Sequence, residues 1–204
     1  TPSSIDAVAE DWVDTLAELS PTLGTYIGRD DANDRYEDLS PDGHDAYIDA
    51  VRSTRDALQA LPATDAVDEV TRTDLLSELD LELEFHDAQW HLRDLNVIAS
   101  PAQDWAVIAK RLSAIPDALR GYTATLREGV AQGVVPARRQ VQEVAEQIVR
   151  YTAGDGYFAT FAAEAAPEEG NLPASLAREL AAGANAARVA YDELRDFLLG
   201  TVTP

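Results

Sequence analysis

The run Leu75-Leu76-Ser77-Glu78-Leu79-Asp80-Leu81-Glu82-Leu83-Glu84-Phe85 decides the fold class. From Leu79 to Phe85, apolar and acidic residues alternate, which is the period of a half-buried strand. Three features argue against a strand. Glu and Asp are poor strand formers, no turn signal bounds the run, and both flanks carry helical spacing. On a helical wheel at about 100° per residue, Leu76, Leu79, Leu83 and Trp90 fall on one stripe. Leu81, Phe85 and Leu92 fall on a roughly opposite one. The run therefore reads as part of a long third helix, from Thr64 or Asp65 to about Leu95. At about 1.5 Å per residue such a helix measures roughly 45 Å. Two apolar stripes predict packing on two sides, and hence a central helix.

Working outward, nearly everything else is helical too. Ser3 or Ser4 caps a first helix with Ile5, Val8, Trp12, Leu16 and Leu19 at helical spacing, ended by Ser20-Pro21. Leu23 to Leu39 holds Gly24, Gly28 and many acids, and reads as a long surface connection with room for one short turn. Ser40-Pro41 is a start signal, serine as cap and proline in the first turn. Tyr47, Val51, Thr54, Leu58 and Leu61 form the face of that second helix, which Pro62 stops. After Asn96 to Pro101, a helix opens at Asp104 with Trp105, Ile108, Leu112 and Ile115. Pro116 kinks it or starts another. Gly133 closes this stretch and Pro136 opens the next helix, with Val141, Val144, Ile148 and Tyr151. Gly154 and Gly156 precede a short helix around Phe158 and Phe161. Pro167 to Pro173 is a loop, and a last helix carries Leu176, Leu180, Ala187, Tyr191, Leu194 and Phe197 to Gly200. The expectation is an all-α array of about seven or eight helices, one helical region over residues 1–204.

Composition narrows the function. Apolar residues make up 46% of the 204, enough for a core. Acids outnumber bases 37 to 16, for a net charge of -21. Such a surface repels phosphate backbones and anionic lipid, so nucleic-acid and membrane partners are disfavoured. Zero cysteine excludes disulfides and thiolate metal sites. No compartment is fixed, and the cytoplasm is favoured. Methionine is absent as well, the initiator included. The expectation is a segment of a longer protein whose chemistry lies elsewhere in it.

Candidate chemistry is sparse. His44 and His86 are each followed by aspartate, which in an Asp-rich chain carries little signal. The zinc signature His-Glu-x-x-His needs histidines four apart on one helical face. His86 and His91 are five apart, about 140° around the wheel. The Glu-x-x-His pattern of di-iron bundles is also missing. Gly154-Asp155-Gly156 is too short for a phosphate loop, and no serine elbow is present. Trp12, Trp90 and Trp105 sit at core positions, and Arg138-Arg139 on a solvated face. The most suggestive cluster is a stripe of the third helix: Asp80, Glu84, Asp87, His91 and Asp94, at spacings of three and four. Its oxygens and imidazole could hold a cation or wall a substrate cleft. The favoured reading is a solvated stripe, or one paired with arginines of a neighbouring helix. Arg93, Asp94 and Asn96 at the helix end are structural caps or cleft residues. No catalytic residue and no cofactor site is assigned to the chain.

Several separated stretches nevertheless resemble a known family. They are Leu39-Ser-Pro-Asp-Gly-His44, Leu92-Arg-Asp-Leu-Asn-Val-Ile-Ala-Ser-Pro101, and Asp104-Trp-Ala-Val-Ile-Ala-Lys-Arg-Leu112 with Ile115-Pro116 and Gly121-Tyr122. Pro136-Ala-Arg-Arg-Gln-Val-Gln-Glu-Val-Ala-Glu-Gln147 completes the set. In this order they resemble the N-terminal half of the bacterial family called domain of unknown function 885. The resemblance implies a mostly helical, zincin-like protein regarded as a zinc metallopeptidase. Its His-Glu-x-x-His helix lies in the C-terminal half and has no match here. The resemblance thus implies zinc and a catalytic half as partner, with peptide as substrate, and a helical wall or lid of the cleft for this region. The acid stripe would then favour basic or N-terminal-amine substrates. One departure is the short Ala102-Gln103 link before the tryptophan helix, which points to a loop deleted or not shown near residues 101–104. The competing reading is a non-enzymatic, acidic helical bundle that serves as a binding or assembly module.

Overall fold

The computed structural model describes residues 2–29, 33–95, 105–165 and 172–202. Among them are eight α-helices and no strand: α1 (Ser4–Leu19), α2 (Pro21–Tyr26), α3 (Pro41–Ala60), α4 (Ala66–Asp87), α5 (Trp105–Gln132), α6 (Arg138–Thr152), α7 (Tyr157–Ala163) and α8 (Ala174–Phe197). The all-α expectation holds, and the Leu79–Phe85 run is helical throughout.

Local chemistry places the helix starts. Ser3 closes a capping box with Asp6, each side chain bonded to the other's backbone N–H. Ser40 caps α3 by accepting from the Gly43 N–H, and Pro41 follows it. The Asp65 carboxylate accepts from the N–H groups of Val67 and Asp68 at the head of α4.

The helices surround two cores. The smaller joins α1, α3 and α4 through Ile5, Trp12, Val51, Leu58 and Leu79. The larger joins α5 to α8 through Leu112, Leu119, Leu126, Val141, Ile148, Phe158, Leu180 and Leu194, among others. Its centre is the α5–α8 pair, the most extensive helix contact in the molecule. Gly183 allows that closeness: a Cβ there would lie 2.9 Å from the Leu112 Cβ.

Four expectations change. The central helix is α5, paired with α8, rather than the third helix. Only one stripe of α4 is covered: Leu79 is buried, with Leu75, Leu76 and Leu83 packed beside it. Leu81 and Phe85 stay 42% and 45% exposed. The third helix also ends at Asp87 instead of near Leu95. Gln89 takes a left-handed conformation (φ 53°), and Trp90–Leu92 forms a 3-10 turn that buries Leu92 and leaves Trp90 exposed. The turn reaches α5 at Gly129, where a Cβ would meet the Leu92 carbonyl at 2.6 Å. The connection expected over Leu23 to Leu39 begins inside helix α2, which packs on α1 where Gly24 meets Ala17. Finally, Pro116 starts no new helix: α5 runs through it, because Leu112, Ile115 and Leu119 on either side are held in the larger core.

Trp12 is buried as expected, and Trp105 packs on Phe161 with ring centroids 5.7 Å apart. The last helix winds into a π-helical turn, Leu198–Val202, which carries it past Gly200. Asn96, Asp104, the link around Ala102 and Gln103, and most of the Pro167–Pro173 loop lie outside the described residues. No helix among the described residues is long and apolar enough to cross a membrane.

Candidate metal centre

The α3–α4 pair is an antiparallel hairpin, so the first turn of α3 and the last turn of α4 meet at its open end. His44 comes from the former and His86 from the latter. His44 Nε2 and His86 Nδ1 lie 3.0 Å apart. The left-handed Gln89 then folds the chain back, and the 3-10 turn delivers His91 to the same place. The His44 and His91 rings stack with centroids 3.6 Å apart at 17°, and those of His86 and His91 lie 5.5 Å apart at 10°. One ring nitrogen from each histidine lies within 4.8 Å of the other two, and all three residues are half-buried.

Burial favours the neutral form of His44 and His91. Burial pushes the His44 pKa down to about 4, helped by the neighbouring His91 and His86 and opposed by Asp45. Burial lowers that of His91 also, with His86 adding and Asp45 opposing. Neutral imidazole is the form that ligates a metal. Among the described residues, the Nδ1 of His91 is buried without a hydrogen-bond partner. An orphaned buried nitrogen of this kind costs about 1–3 kcal/mol.

The acid stripe does not assemble. Its five members are not on one helix, because α4 stops at Asp87 and the left-handed turn redirects the chain beyond it. Asp80 is ion-paired with Arg55 of α3. Glu84 faces a hollow of about 580 Å³ along α4, lined also by Glu69, Arg72, Leu76, Glu78, Asp80 and Leu81. Asp87 is exposed at the helix end. Only His91 joins the cluster that gathers metal-ligand atoms among the described residues. Of the cleft candidates, Arg93 lies over the Trp90 ring at 5.2 Å, and the Asp94 carbonyl accepts a hydrogen bond from the Tyr122 hydroxyl. Asn96 lies outside the described residues.

Sequence reasoning missed the histidine cluster because it measured His86 and His91 on one continuous helix. A usable signal was present nonetheless. Helices ending at Leu61-Pro62 and restarting at Asp65 must fold back on each other, which sets His44 opposite His86.

The model of a family described as "Bacterial protein of unknown function (DUF885)" matches residues 21–204. A search of curated proteins finds no match to the chain.

Proposed function

Because the chain belongs to the DUF885 family of bacterial proteins, we propose that it forms the helical wall of a substrate cleft in a zinc-dependent peptidase. The observation that supports this best is the outward side of α4. There an open hollow carries Glu69, Glu78, Asp80 and Glu84; Arg72 pairs with Glu69 and Arg55 with Asp80, which leaves Glu78 and Glu84 to supply the excess negative charge. Exposed Val70, Leu81 and Phe85 sit on the same helix. An acid-walled groove with apolar footholds suits a peptide bearing a basic side chain or a free amino terminus. The wall would bind and orient such a peptide through its charge, and the peptide-cleaving zinc would sit in the catalytic half that the resemblance implies. The His-Glu-x-x-His signature is absent from the chain, so no catalytic step is assigned to its residues.

The test has two arms. In the zinc peptidase that includes this region, Glu78→Lys with Glu84→Lys should lower kcat/KM for amine-bearing peptides by roughly tenfold, about 1.4 kcal/mol. Neutral, blocked peptides should be unaffected. The 204-residue chain alone, supplied with zinc, should cleave nothing. Robust peptidase activity in that chain would sink the reading, as would an equal loss on both peptide classes.

One observation favours the second reading, an acidic helical module for binding or assembly. Val67, Val70, Leu81, Phe85 and Trp90 are all exposed along α4 and the turn after it. A defined oligomer that dissociates on Leu81→Ser with Phe85→Ser would support the module instead.

A further inference from the structure

We propose that His44, His86 and His91 together bind one divalent ion of borderline softness, of the zinc, nickel or copper class. This site lies within the chain itself and is separate from the zinc that the family resemblance implies. Three imidazoles from three consecutive stretches of backbone converge with their ring nitrogens within 4.8 Å. Around a tetrahedral ion with bonds of about 2.0–2.1 Å, neighbouring ligand atoms stand about 3.3 Å apart. His44 Nε2 and His86 Nδ1, 3.0 Å apart and sharing a hydrogen bond, already stand close to that spacing, and binding would replace the shared proton with the ion. His91 is the ligand that has to move: it rides on a three-residue turn, and a tilt of its ring would break the stack with His44 and aim its lone pair at the shared centre.

The donor set selects the ion. Imidazole nitrogens suit zinc, copper and nickel, whereas calcium and magnesium require oxygen. Three ligands leave at least one coordination position for water or a small anion. Space-filling alone does not explain the arrangement. Three rings packed only for contact would leave the His91 Nδ1 buried and unbonded, as it is here, with nothing to offset the loss. An ion at the centre would give the cluster a use for its lone pairs. It would also clamp the start of α3 to the end of α4 and to the turn that rests on Gly129.

Calorimetric titration of the chelator-treated 204-residue chain with zinc or nickel chloride tests this. One equivalent should bind at micromolar concentration or tighter, and calcium and magnesium should not bind there. The melting temperature should rise with zinc concentration. His44→Asn, His86→Asn and His91→Asn, each checked by circular dichroism for retained helix, should weaken binding by at least roughly tenfold. X-ray absorption of the loaded wild-type chain should count about three imidazole nitrogens, and this arm stands even where a variant fails to fold. Absence of binding below millimolar, unchanged affinity in the triple variant, or a carboxylate-dominated shell would overturn the assignment.

Discussion

The α5–α8 pair and the α3–α4 pair are both long-helix contacts, but they are made from different materials. Between α5 and α8 the meeting residues are small or aliphatic: Gly183, Ala184, Ala187 and Ala190 on one side, Leu112, Ile115 and Leu119 within the same core. Between α3 and α4, Leu58 and Leu79 share the contact with an Arg55–Asp80 ion pair, a Tyr47–Glu82 pair and the histidines. The first contact maximises close packing, which is where stability comes from. The second gives up some packing to hold polar groups at defined positions, and α4 keeps one apolar side uncovered. Close packing and polar contacts are thus divided between the two cores.

That division can be broken most directly in the larger core. Leu180→Ala and Leu58→Ala both empty fully buried sites, at about 2–5 kcal/mol each. The difference should lie in reach. Hydrogen exchange should show Leu180→Ala loosening α5, α6 and α8 together, and Leu58→Ala loosening α1, α3 and α4 while α8 stays protected. Uniform loosening in both variants would mean one cooperative core rather than two.

A smaller effect sharpens the polar side of the comparison. Burial raises the Glu82 carboxyl above its ordinary 4.5; a hydrogen bond from Tyr47 opposes this and Glu78 adds to it. A carboxyl raised in the folded state is best tolerated protonated. Its contribution to stability is therefore present below the unfolded value and is lost as pH rises through the folded one. Glu82→Gln should accordingly melt higher than wild type at neutral pH, and the gap should close as pH falls below about 4.5. A gap that widens on acidification would show that the Tyr47 bond outweighs the burial.

The smallest effect belongs to the uncovered side. Phe85→Ser should change stability by no more than about 0.5 kcal/mol, because the ring is nearly half exposed. A large loss in a denaturant melt would mean that Phe85 is part of the smaller core after all.

How much of the molecule was legible in the sequence depends on the range of the interactions. Ser3, Ser40-Pro41 and Asp65 mark helix starts because capping is a contest between a side chain and its own next turn. The acid-apolar alternation of Leu79–Phe85 resolves to helix from its flanks alone. The reversal at Gln89 could not be read, since a left-handed residue without glycine leaves no local mark and is held by the groups it docks against. From that one omission came both the overlong third helix and the missing histidine cluster. The centrality of α5 was equally hidden, because Pro116 looks like a break until the neighbouring leucines are seen held in the core. The stripe Asp80, Glu84, Asp87, His91 and Asp94 was a correct wheel drawn on a helix that ends too soon.

Tyr122 and Thr125 sit about one turn apart on α5, and their hydroxyls grip two separate carbonyls, of Asp94 and Leu39. Those carbonyls belong to the stretches of chain that enter α3 and leave the Trp90–Leu92 turn, one on each side of the three histidines. The long helix is thus a splint across the seam between the two halves. Both hydroxyl–carbonyl bonds tie the backbone on either side of the histidine corner to α5.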